Sequence, residues 1–106
     1  MLGEELQHYR FVLYVTGVTA RTERAIVNLR RLCDEELHGR YDLTIVDVLD
    51  RPDVAETERI LATPLLVKEA PLPKRRITGD LSDPRRVLHV LGLIAEPYPR
   101  GGGDLL

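Results

Sequence analysis

Between Tyr9 and Gly17 the chain reads "YRFVLYVTG", a β-branched and aromatic run apolar on both faces. Such a run predicts a strand buried in a mixed or parallel sheet. The period then changes. Ala25, Ile26, Leu29, Leu32, Cys33 and Leu37 recur at helical spacing, with Arg21, Glu23, Arg30, Arg31, Asp34 and Glu35 between them and Gly39 in the position that ends a helix. "YDLTIVDVLD", Tyr41 to Asp50, returns to strand composition. Strand, helix and strand with short links predict a right-handed βαβ unit whose two strands run parallel.

Proline punctuates the second half. Pro52 suits the first turn of a helix, and Asp53, Glu56 and Glu58 bring negative charge toward its positive end, which predicts a short helix to about Ile60. Leu65 to Lys68 and Arg75 to Thr78 predict two short antiparallel strands, joined by "EAPLP", where Pro71 and Pro73 restrict the connection to extended or turn geometry. Ser82 or Asp83 as cap, Pro84 at the first helical position and an apolar face of Val87, Leu88, Leu91, Ile94 and Ala95 predict a last helix ending by Pro97. The tail "YPRGGGDLL" has no periodicity and is expected to be mobile, which gives one domain over 1–106 with an ordered core of about 8–96 and a flexible 97–106. The element order β-α-β-α-β-β-α is that of a thioredoxin-like α/β domain.

A chain of 106 residues has room for a single core, and its 43% hydrophobic and 30% charged residues place it with soluble globular proteins. No apolar run approaches the ~20 residues that cross a bilayer. The opening "MLGEELQHYR" lacks a basic stretch followed by an apolar one, so it does not read as a signal peptide, and the cytoplasm is the expected location. A lone Cys33 forms no internal disulfide, as suits a reducing compartment. A net charge of -2 and a pI near 5.9 weigh against nucleic-acid binding, which draws on basic excess.

The chemistry of redox thioredoxins is missing from the place that carries it. Their first turn holds Cys-x-x-Cys at a helix N-terminus, where the dipole lowers a thiol pKa; here the turn reads "TGVTARTE". Cys33 falls on the apolar stripe of the first helix and reads as packing. His8, His38 and His89 lack metal-ligand spacing, and no phosphate-binding glycine loop is present, so neither metal nor cofactor is implied. Asp47 and Asp50, at a strand end, read as capping and turn residues. Lys74-Arg75-Arg76 is the densest charge and has two readings, a solvated edge strand protected from aggregation and a contact for an acidic partner.

"LYVTG", "IVDVLDRPDVAE", "ILATPLLVKEAPLPKRRITGDLSD" and "RVLHVLGLI" resemble, in order and spacing, the KaiB family of small clock proteins, over about Phe11 to Ile94. The resemblance implies a non-enzymatic, fold-switching regulator that docks on a KaiC-like ATPase hexamer and modulates its phosphorylation cycle. It implies a thioredoxin-like monomer as the docking form and a rearranged second half in a homo-oligomer. Arg24 and Arg59 match the family's docking face. Pro64, Pro71 and Pro73 lie in the segment that rearranges, and X-Pro bonds isomerise over seconds to minutes. Two departures matter: Asp42 and Thr44 stand where KaiA-partnered members carry a small residue and a lysine, which weighs against KaiA binding, and Val90-Leu91-Gly92 replaces the usual Gly-Leu-Asp, which bears on the balance between folds. Two other readings stay open: a thioredoxin-like sensory or stress-related binding module using the same face, and a remnant oxidoreductase built on Cys33.

Overall fold

Phe11, Leu13 and Val15 of strand β1 (Tyr9–Val15) join one buried cluster and Val12 and Tyr14 join another, so alternate residues of a single strand serve both sides of a sheet. The structure is a computed structural model and describes residues 7–93. After β1 come α1 (Ala20–Leu37), β2 (Tyr41–Asp47), α2 (Pro52–Thr57), β3 (Leu65–Ala70), β4 (Arg75–Thr78) and α3 (Pro84–Val90), the predicted order. The strands lie in the order β2-β1-β3-β4. β1 runs parallel to β2, with Leu13 opposite Ile45, and antiparallel to β3, with Leu13 opposite Leu66. β4 pairs antiparallel with β3, Leu66 opposite Ile77. This mixed sheet is the thioredoxin-like topology.

Leu29, Leu32, Cys33 and Leu37 of α1 and Val87 of α3 pack with Phe11, Leu13 and Leu66 on one face. On the other, Val54 and Ile60 from the α2 region pack on Tyr14, Leu65 and Val67. That second cover is short and leaves Asp42 and Thr44 exposed on edge strand β2.

The helix starts follow the expected chemistry. Thr19 accepts from Thr22 N at 3.1 Å to cap α1, and of the two candidate caps for α3 it is Asp83 that accepts, from Arg86 N at 3.3 Å, with Pro84 next.

The element ends differ from the sequence pattern for local reasons. β2 stops at Asp47 rather than Asp50 because the Asp47 carboxylate accepts from Gly17 N at 3.2 Å and Leu49 N at 2.9 Å, which turns the chain. α2 ends at Thr57, short of Ile60, because Arg59 takes a left-handed φ of 57°. Ile60 N then donates to Ala55 O at 2.8 Å and Arg59 N to Glu56 O at 3.2 Å, a Schellman end built without glycine. α3 ends at Val90 instead of continuing to Pro97, since Gly92 at φ 76° closes a second Schellman end. There Leu93 N donates to Leu88 O at 2.8 Å and Gly92 N to His89 O at 3.0 Å. Ile94, Ala95 and the tail 97–106 lie outside the described residues. The peptide bonds before Pro64, Pro71 and Pro73 are cis.

Candidate partner-docking surface

At the end of the sheet where β1 leaves for α1, Thr16 and Thr63 hydroxyls meet at 2.7 Å and join the first turn to the loop before Pro64. In this fold that turn is where a thiol pair would sit, and here Thr19 caps the helix. Cys33 is thirteen residues further along α1 than Ala20, about 20 Å at the helical rise per residue. It is 1% exposed, and burial, with Asp34 nearby, pushes its thiol up to about 12. We expect Ellman's reagent at neutral pH to label native Cys33 at least about tenfold more slowly than the unfolded chain, since the thiolate is the nucleophile. Equal rates in the two states would show a reactive native thiol and revive the redox reading.

Two exposed arginines single out this end of the molecule. Arg24, on the outer side of α1, is not free: its Nε donates to Asp80 Oδ2 at 3.3 Å. Asp80 also accepts from Ser82 N at 3.1 Å, and its own carbonyl accepts from Asn28 Nδ2 at 2.9 Å, so α1 is clasped to the loop between β4 and α3. Ser82, and then Arg24, hold the Asp80 carboxyl below the usual carboxylate range. Arg59, by contrast, has no side-chain partner among the described residues; its left-handed backbone points it outward after α2. The loop is fixed by Arg76 of β4, whose guanidinium donates to the carbonyls of Glu58 and, at 3.3 Å, of Arg59.

Arg24 and Arg59 do not touch, but one strip of surface connects them. A hollow of about 250 Å³ holds Arg21, Asp80, Asp83 and Arg86, and another of about 270 Å³ holds Arg59, Arg76 and Arg86; they share Thr78 and Arg86. Of the Lys74-Arg75-Arg76 cluster, two members are used inside the fold, Arg76 as described and Lys74 between Glu58 and Glu69 at 3.7 Å each.

Sequence reasoning missed Arg86 and Lys68. Arg86 comes from α3 and is brought to the same hollow as Arg59 only by tertiary packing. Lys68 is 4% exposed on central strand β3, donates Nζ to Leu91 O at 3.1 Å and stands 5.9 Å from the centroid of the Tyr9 ring. The available signal was its period-two relation to Leu66, which places it on the α1 and α3 face. Among the described residues no group of three or more His, Cys, Asp or Glu could hold a metal ion, and no helix is long and apolar enough to cross a membrane.

Fold and surface together define a thioredoxin-like scaffold whose first turn carries a threonine cap in place of a thiol pair. The pattern of the KaiB domain matches residues 12–93, and the chain belongs to the KaiB family. It is 44% identical over 84 residues to the circadian clock protein KaiB3 of Synechocystis, covering 79% of this chain and 82% of that protein. It is 48% identical over 86 residues to the circadian clock oscillator protein KaiB of Synechococcus elongatus, covering 81% and 84%. Among solved structures, the N-terminal domain of Synechococcus elongatus SasA superposes with a TM-score of 0.67 at 22% identity, covering 87% of this chain and 90% of that one. Chloroplastic thioredoxin z superposes with a TM-score of 0.65 at 22% identity, covering 82% and 79%. These likenesses are of fold.

Proposed function

We propose that this KaiB-family chain is a non-enzymatic cytoplasmic regulator that docks as a thioredoxin-like monomer on a KaiC-like ATPase hexamer and modulates its phosphorylation cycle. It exchanges with a homo-oligomer whose second half, including the segment of Pro64, Pro71 and Pro73 and the end of α3 at Val90 and Gly92, is rearranged. The observation that carries the docking is the strip from Arg24 to Arg59 on a family scaffold with no thiol at its first turn. Opposite charges across an interface steer encounter and are screened over about 8–10 Å at physiological ionic strength. Binding to the hexamer is therefore expected to weaken with salt and to fall about fivefold on Arg24→Glu or Arg59→Glu, each an exposed charge worth about 1 kcal/mol. Calorimetric titration at two salt concentrations checks this. Unchanged affinity in both variants moves the docking face elsewhere, and no binding by the wild type favours a sensory or stress-related module.

KaiA is not expected to join the complex. Asp42 and Thr44 stand exposed on edge strand β2, Asp42 accepting from His8 Nε2 at 2.9 Å, so a negative charge occupies this edge and no lysine does at position 44. Like-charge juxtaposition rejects a partner that evolved against a cation. Co-elution of this chain with KaiA and a KaiC-like hexamer in one peak would overturn the expectation.

A further inference from the structure

The geometry points to the hollow between Arg59, Arg76 and Arg86 as an acid-binding pocket that takes a carboxylate side chain with an apolar neighbour from a protein segment. This deepens the docking proposed above and rests on it for the identity of the partner. The guanidinium groups arrive from three elements: Arg59 from the end of α2, Arg76 from β4 and Arg86 from α3. Among the described residues no carboxylate lines the hollow, whereas its neighbour contains Asp80 and Asp83 beside Arg21 and the shared Arg86. The side chains of Arg59 and Arg86 have no partner among the described residues. Arg76 spends its donors on the Glu58 and Arg59 carbonyls and so fixes the backbone that presents Arg59. The Glu58 carboxylate, 3.9 Å from the Arg76 guanidinium, offsets that charge in part, so the charge left unpaired at this place, on a chain whose net charge is -2, is that of Arg59 and Arg86.

The apolar part of the hollow decides which kind of anion fits. Leu61 is 94% exposed and Ala62 is exposed beside it, next to the arginines. A phosphate ion would gain nothing from that surface, while a peptide carrying Leu or Phe next to Asp or Glu buries Leu61 and pairs the guanidinium groups at once. Arginine's planar fork suits a carboxylate in two-point contact.

The test uses the full chain, labelled with nitrogen-15, titrated with the capped peptide Gly-Leu-Asp-Leu-Glu-Gly, with its Asn/Gln twin and with inorganic phosphate. A second arm measures binding to a KaiC-like hexamer. The acidic peptide is expected to move the amides of 59–65 and 76–78 in a saturable way, at least about tenfold more tightly than the twin or phosphate, a difference of about 1.4 kcal/mol. Arg86→Glu abolishes this, whereas Arg31→Glu, the same charge change at an arginine of α1 that does not line the hollow, does not. Arg86 is exposed, so the variant is expected to fold, and its spectrum reports whether it has. Equal response to the twin, equal response to phosphate, or no response at all overturns the pocket. In the hexamer arm Arg86→Glu weakens binding by about tenfold or more, and equal binding by variant and wild type also overturns it. A wild type that ignores the hexamer sinks the docking proposal alone, and the peptide arm still decides the pocket.

Discussion

Lys68→Ala is expected to cost about 3–4 kcal/mol of stability and Lys68→Met about half as much. The ammonium is nearly enclosed, and its hydrogen bond to Leu91 O at 3.1 Å fastens the C-terminal end of α3 to the centre of the sheet. A hydrogen bond to a charged group contributes about 1.5–3 kcal/mol, and a cation near an aromatic face about 0.5–2 more. Burying the charge offsets part of this, as the lowered Lys68 pKa shows; desolvation is the larger cause and Arg75 the smaller. Alanine removes the aliphatic stem as well and leaves a cavity between β3 and α3, while methionine keeps the volume and orphans only the Leu91 carbonyl. Denaturant midpoints at constant slope measure both losses. Amide exchange over 84–93 is expected to accelerate more than that of β1, and equal acceleration throughout would mean that Lys68 holds no particular element.

The same residue gives a pH dependence of definite sign. A lysine whose folded pKa lies below its ordinary value of 10.5 releases its proton from the native state first, so the unfolded chain binds more protons in that window. The cost of the buried charge is present in full below the folded pKa and is relieved as pH rises toward 10.5. Burial, the leading cause in each case, raises the Tyr14 and Tyr41 phenols and the Cys33 thiol, which lowers stability at high pH, but Lys68→Met shares that loss. The stability of the wild type relative to Lys68→Met is therefore expected to climb with alkaline pH. A flat or falling difference would contradict the account.

Lys68 also marks the limit of what the sequence discloses. Strong periodicity located β1 and α1, because a run apolar on both faces and a helical stripe each bury the residues that define them. Ends were less legible. Arg59 gives no sign in the sequence of a left-handed backbone, since glycine usually takes that position, and Gly92 reads as a weak spot inside a helix until Leu93 N is seen returning to Leu88 O. The proposed surface was less legible: Arg24 and Arg59 were suggested by family resemblance alone, and the Asp80 clasp and the placing of Arg59 and Arg86 on one hollow join residues 56 and 27 positions apart. Such convergence is set by how α1, α2 and α3 pack on the sheet, and no local pattern encodes it.

The free chain is expected to rest as a monomer in this fold, and Gly92→Val to move it toward the rearranged oligomer. Burial alone does not decide the matter. Val87 and Leu91 are buried, at about 1.5–3 kcal/mol each, but an oligomer that covered them equally well would recover that term. What an alternative packing cannot keep is specific to a helix over 84–90: the Asp83 cap, worth about 1 kcal/mol, Pro84 in its preferred place, the Lys68 bond to Leu91 O, and the Schellman end at Gly92. Gly92 favours the helical form because it lies just outside the helix at a φ of 76°, where glycine has no penalty. Among the described residues a Cβ there would meet only Lys68 Nζ, at 3.9 Å, so the cost of substitution is conformational rather than steric crowding. A left-handed L-residue costs about 1–2 kcal/mol, the β-branched valine at the upper end, which is roughly thirtyfold in population. Valine also suits a strand, so the change acts in the same direction on the other side of the equilibrium. Backbone chemical shifts over 87–91 and particle size in solution check both statements. Strand-like shifts in a tetramer-sized wild-type particle would make the rearranged form the resting state, and a Gly92→Val protein with unchanged helical shifts and melting would show that the end of α3 does not govern the balance.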